Sequence, residues 1–130
     1  MKTIFLLRHA KSSWDDPVER DFDRPLNTRG RRAAETIGRY LRDERLAFDR
    51  VVASPAVRVI ETLDGVEAGA SRRLSATFDR RVYMASAPTL LDIVHETDAE
   101  AETLLLVGHN PGLEDLIFLL TPAGRGTLRK

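Results

Sequence analysis

The sequence contains no cysteine among its 130 residues, which excludes disulfides, thiolate metal centres and a cysteine nucleophile. Aromatic residues are scarce at 6%, as suits aliphatic helices packing against a sheet. Neither charge sign is in excess. Twenty basic and twenty acidic residues cancel, so no global field draws the chain to nucleic acid, a membrane or an acidic partner. Long apolar runs are also missing. The run before Arg8 is too short for a secretory leader, and no window reaches the length of a membrane span. These absences predict a cytoplasmic protein without membrane or nucleic-acid partners. The length predicts one domain over residues 1–130, whose core holds it without staples.

What is present is an alternation of strand and helix signals. Three apolar stretches, Thr3 to Leu7, Arg50 to Ala53 and Thr103 to Val107, read as parallel strands buried on both faces, because their hydrophobicity is continuous. From Arg31 to Leu46 the residues Ala34, Ile37, Tyr40 and Leu41 recur at helical spacing, with Asn27 or Thr28 as the cap. Ser54-Pro55 signals a cap and a first helical proline for a helix to Val66. Ser86 opens another helix through about Glu96, burying Leu90, Leu91 and Val94. Asn110-Pro111 repeats the signal before Leu113, Leu116, Ile117 and Leu120. The pattern predicts an α/β three-layer sandwich, a mostly parallel central sheet flanked by helices. Residues 10–28 lack periodicity, and long ordered loops in compact domains are usually functional. Residues 64–75 read as a polar connection.

The chemistry gathers where the strands end. Arg8 and His9 follow the first strand. Arg58 lies about one turn into the helix after the second, and His109 follows the third in Gly108-His109-Asn110-Pro111-Gly112. Ligands of open parallel sheets bind outside the carboxyl ends of the strands. Two arginines and two histidines thus share one rim with helix N-termini that favour anions. Each residue singly has a plainer reading: Arg58 paired with Glu61 on a helix surface, the Gly108 to Gly112 segment a capped turn. His95 reads as a solvated helix residue, and the arginine pairs at 31–32, 72–73 and 80–81 as dispersed solvated faces. Convergence after three strands favours a bound oxyanion, most simply a phosphoryl group.

These residues carry a resemblance. Arg8-His9-Ala10-Lys11-Ser12-Ser13-Trp14 resembles the arginine–histidine signature of the histidine phosphatase superfamily, which includes the phosphoglycerate mutases. Pro25 to Gly30 is similar to the family's turn before its first helix, Ser54 to Thr62 to its second-arginine motif, and Gly108 to Pro111 to its second-histidine motif. Ala10, the short length and the Tyr83 to Leu91 segment resemble the compact SixA-type branch, which includes protein phosphohistidine phosphatases. The resemblance implies a phosphoglycerate mutase-like fold and makes His9 the nucleophile, with Arg8, Arg58 and His109 on the phosphoryl oxygens. Lys11, Ser12 and Asn110 join the expected phosphate-binding set, and Lys11, Ser12, Trp14 and the loop to Arg24 are expected to line the mouth, with Trp14 either packing the loop or stacking on substrate. It implies a phosphorylated substrate, such as a phosphohistidine-bearing protein, and no metal or cofactor.

Two departures refine this expectation. Many members supply a glutamate as general acid; alignment on Tyr83 places Arg80 there, with Asp79 one residue earlier as a candidate acid if the backbone shifts, although Asp79 reads more simply as a turn residue. An imidazole leaving from a phosphoramidate needs protonation less than an alkoxide does, which favours phosphohistidine or another labile phosphoryl compound. Members also commonly continue into a further strand, whereas this sequence stops at Lys130, so either the sheet has one strand fewer or a tail is missing. The alternatives are a small-molecule phosphomonoesterase using the same His9 and a non-catalytic phosphate-binding module. Asp21 and Asp23 superficially resemble the paired aspartates of metal-dependent phosphatases but lie in a polar loop rather than after a buried strand.

Overall fold

Each of the three sequence-expected strands forms, and a fourth joins them. The computed structural model describes residues 3–14 and 20–121. In chain order these form β1 (Thr3–Arg8), α1 (Thr28–Asp43), β2 (Arg50–Ala53), α2 (Val57–Ala70), β3 (Thr77–Phe78), α3 (Ala87–Glu96), β4 (Thr103–Gly108) and α4 (Gly112–Leu120), with short 3-10 turns at Asp21–Asp23 and Arg80–Val82. All strand pairs are parallel, in the order β1-β4-β2-β3.

Side-chain alternation along β4 divides the core into two faces. Leu105 and Val107 join Val51, Ala53, Val59 and Leu63 beneath α2. Leu106 faces the other way, into Leu90, Ile93, Leu113 and Leu116 of α3 and α4. This is the expected three-layer arrangement. The register puts Arg8 beside Gly108 and Ala53 beside Val107, so three strands end level with one another. The ladder runs on into the loops, where His9 N–H donates to the Gly108 carbonyl (3.1 Å) and Ser54 N–H to that of Val107 (3.0 Å).

Several expectations need correction. β1 is only half-buried, because among the described residues it pairs with β4 alone; a continuous apolar run does not distinguish a covered edge from a centre. Residues 64–70 are not a connection but the second half of α2. The glycines in this stretch serve contact: a Cβ on Gly69 would lie 2.0 Å from the Glu35 carbonyl oxygen of α1. The helix stops at Ser71, whose left-handed backbone (φ 55°) closes the C-terminus. β3, at two residues, is too short to produce periodicity. Asn27 caps α1, its side chain accepting from Gly30 N–H at 2.8 Å, and Ser86 caps α3. α2 begins two residues later than Ser54-Pro55 suggested. The question of a further strand after α4 falls on residues 122–130, outside the described residues.

Candidate active site

The level strand ends create a cleft of about 520 Å³ lined by residues that include Arg8, His9, Lys11, Ser12, Trp14, Arg24, Arg58, Met84, His109 and Asn110. The four residues singled out after the strands therefore meet. The His9 and His109 rings lie 5.3 Å apart between centroids. Arg58, among the most buried side chains of the molecule, reaches between them. Its Nε is 3.3 Å from His9 Nε2 and its Nη2 is 3.3 Å from His109 Nδ1. Arg8, the last residue of β1, is exposed at the cleft wall. Arg58 does not pair with Glu61, which instead accepts from Leu26 N–H and Arg31.

The hydrogen bonds assign the protons. His9 Nδ1 lies 2.7 Å from the Ala10 carbonyl, an acceptor only, so Nδ1 carries the hydrogen and Nε2 keeps its lone pair, which accepts from Arg58 Nε until a substrate oxygen takes that donor. Burial holds the His9 pKa below its ordinary value, and the charges of Arg58, Arg8 and Arg24 push the same way. His109 is lowered further, to about 4, by burial first and then by Arg58. Because Arg58 donates to its Nδ1, the His109 proton sits on Nε2 and is given to Ser54 Oγ at 2.8 Å. Ser54, expected only as a helix cap, thus orients a ring while accepting from Ala56 N–H (3.2 Å).

The loop after His9 is fixed from below. Ala10 N–H donates to Thr62 Oγ1 (2.9 Å), whose hydroxyl donates to the Arg58 carbonyl (2.7 Å). The Lys11 carbonyl accepts from Asn27 N–H (3.0 Å) and lies against Gly30, where a Cβ would come within 2.1 Å. Ser12 and Leu26 bridge the two limbs of the 10–28 segment. Of the expected auxiliary binders, Lys11 is exposed in the cleft, whereas the Ser12 hydroxyl is taken by Arg24 Nη1. Asn110 borders the cleft but also grips Glu114 through both side-chain ends (3.2 Å each).

Three further functional candidates emerge, of which the sequence placed Arg24 only at the end of the mouth loop and Asp21 only in a superficial aspartate pair. Arg24 is buried, lines the cleft and stacks on Trp14, with its guanidinium carbon 3.7 Å from the ring centroid. The Asp21 carboxylate accepts from Arg58, Arg24 and the Tyr83 hydroxyl. Met84 has a left-handed backbone (φ 49°) that brings its sulfur 3.8 Å from Arg58 Nη2. Arg24 and Asp21 lie three residues apart in the aperiodic loop, and charged residues inside an otherwise functional loop were the available signal. The expected mutual repulsion of the cations is thus relieved partly within the protein, by Asp21 and by two neutral imidazoles.

Asp79 is not brought to the cleft. Its carboxylate accepts from Arg81 Nη2 (2.7 Å) and Arg81 N–H (2.9 Å), and these bonds hold its pKa below the usual carboxylate range. An acid so stabilised as the anion is a poor proton donor. The described residues of the cleft lining include no carboxylate, and among the described residues no group of three or more His, Asp and Glu side chains is arranged to hold a metal ion. No described helix is long and apolar enough to cross a membrane.

Comparison with known proteins agrees with this geometry. A family model for the histidine phosphatase superfamily (branch 1) matches residues 4–82. An uncharacterised protein of Mycobacterium tuberculosis is 36% identical over 116 residues, covering 88% of this chain and 69% of the relative. An uncharacterised chloroplastic protein of Arabidopsis thaliana is 30% identical, over 94% of this chain and 60% of its own length. A crystal structure described as a candidate phosphohistidine phosphatase SixA from Agrobacterium tumefaciens superposes with TM-score 0.80 at 34% identity, covering 90% of this chain and 75% of that one. The fold is shared at the same TM-score, but only 20% identity, with a protein histidine phosphatase SixA complexed with tungstate, over 96% and 81% of the two chains.

Proposed function

The chain belongs to the histidine phosphatase superfamily, and from that premise we propose that it removes phosphoryl groups through a phosphohistidine intermediate on His9, acting preferentially on protein phosphohistidine. The observation that carries the reading is the orientation of His9. With Nδ1–H held by the Ala10 carbonyl, Nε2 faces the cleft between Arg58 and His109.

In the first step the Nε2 lone pair attacks phosphorus and the bond to the leaving group breaks. Arg8, Arg58 and Arg24 take up charge on the phosphoryl oxygens, through planar forks that lysine does not reproduce. Phosphoryl transfer demands chiefly such positioning and charge stabilisation. Negative oxygens beside His109 favour a proton on its Nδ1, turning an acceptor into a donor toward the substrate. Water then attacks phosphorus, the P–N bond to His9 breaks, and inorganic phosphate leaves with the water's oxygen.

Asp79, the acid expected from the sequence, is held by Arg81 away from the cleft, which supports a leaving group that departs with little help. A phosphoramidate imidazole meets that description and a sugar alkoxide does not. The SixA names of the structural neighbours support the same substrate class. The test compares kcat/KM on a phosphohistidine peptide with that on an unactivated sugar phosphate, together with burst release from an aryl phosphate. The expected result is strong preference for the peptide, a burst abolished in His9→Ala and no effect of EDTA. Equal turnover of both substrates would count against the substrate class, and turnover surviving His9→Ala would remove the nucleophile.

A further inference from the structure

Arg58 offers two edges, and the protein occupies them differently. Nε and Nη2 are turned toward His9 Nε2 and His109 Nδ1, each at 3.3 Å, where phosphoryl oxygens would take over as acceptors. The far edge is bound to one residue. Nη1 donates to the Asp21 carbonyl (2.8 Å) and Nη2 to Asp21 Oδ2 (2.9 Å). The same Oδ2 accepts from the Tyr83 hydroxyl (2.7 Å), while Oδ1 accepts from Arg24 Nη2 (3.1 Å) and Nε (3.3 Å). One carboxylate thus gathers α2, the 10–28 loop and the turn before α3. Phe22 packs edge-on to Tyr83, with centroids 5.1 Å apart, on the same seam.

We propose, on the footing of the His9 reading above, that Asp21 is a positioning residue for phosphoryl transfer: by gripping the far edge of Arg58 it aims the near edge at the phosphoryl oxygens, and its other oxygen holds Arg24. The Arg58 side chain is 2% exposed, and Asp21 supplies both oxygen acceptors on its far edge. A shift of about 1 Å in such a group is enough to cost roughly a hundredfold in rate. The plainer account makes Asp21 a half-exposed acid beside a cationic cleft. The two accounts differ in sign. Removing a nearby negative charge by itself attracts an oxyanion more strongly, so a merely electrostatic neighbour predicts tighter phosphate binding with kcat unchanged. A positioning residue predicts slower turnover without weaker phosphate binding.

The deciding variant is Asp21→Asn, which keeps the shape and loses the charge. The readouts are kcat and KM on an aryl phosphate, the inhibition constant of inorganic phosphate and a thermal melt. The expected result is a kcat lowered by about tenfold or more, with phosphate inhibition as strong as in the wild type or stronger. A kcat within about twofold of wild type overturns the proposal. So does phosphate binding that weakens in step with turnover, which would mark a general structural support. Tyr83→Phe decides independently if Asp21→Asn does not fold, because it removes the donor to Oδ2 and leaves the carboxylate. It should lower kcat by roughly twofold to fivefold, and should add nothing in the Asp21→Asn background. Wild-type kcat in Tyr83→Phe, or full additivity, contradicts the shared seam. This failure is separable from that of the His9 reading, which falls only if turnover survives His9→Ala.

Discussion

At His9, a single backbone carbonyl decides which nitrogen can react. The Ala10 oxygen fixes Nδ1–H, and surrounding burial and arginine charge keep the ring neutral. Protonation would destroy the nucleophile, so the pH profile follows directly. The His9 pKa is held below 6.5, hence the midpoint of the acid limb of kcat/KM should lie below pH 6.5. An acid limb at or above 6.5 would contradict the assignment. The linked stability has the same sign. His109, at about 4 when folded against 6.5 unfolded, binds fewer protons in the native state, so stability is lost as pH falls through that window and levels off below it. Asp21, where burial raises the pKa but the bonds from Tyr83, Arg24 and Arg58 together outweigh it and lower it from 3.8 to about 2, adds a second loss between those values. The arginines and histidines were legible in the sequence because each follows an apolar run, and strand ends share a rim. Asp21 and Arg24 were not, because no period places a loop residue relative to a helix. Asp79, open in the sequence between an acid and a turn residue, is the turn residue: it caps the turn at Arg80–Val82 and is bound to Arg81.

Helices and strands were legible where their patterns were long. α1 and α3 begin at the caps read from Asn27 and Ser86, and β1 and β4 match their apolar runs to within one residue. α2 exceeded its expected end because Gly65 and Gly69 look like breakers while in fact they admit α1. Its packing yields a stability prediction. Gly→Ala inside a helix usually gains about 1 kcal/mol from propensity, but the added methyl at residue 69 would sit 2.0 Å from a backbone oxygen that cannot easily retreat. Overpacking of this kind costs about 1–3 kcal/mol or more, so the clash wins. Gly69→Ala should lower Tm by several degrees in a thermal melt. A Tm equal to or above wild type would mean that α1 and α2 are less tightly engaged than described. The result also bears on the site, since the same helix pair carries Arg58 and the Gly30 buttress under Lys11.

Across the whole molecule, a sequence with no net charge concentrates cations at one end of its sheet. The order β1-β4-β2-β3 brings residues 8, 58 and 109 together from distant parts of the chain, and their convergence is the physical content of the family membership. The most direct test of the central claim is chemical trapping of the intermediate. Wild-type protein is mixed with phosphohistidine peptide or aryl phosphate, quenched within a turnover under alkaline conditions that preserve phosphohistidine, and mapped by mass spectrometry. The account predicts an acid-labile phosphoryl group on His9, stoichiometric with protein and missing from His9→Ala. A phosphoryl group on any other residue, or rapid turnover with no phosphorylated protein at any quench time, would contradict it.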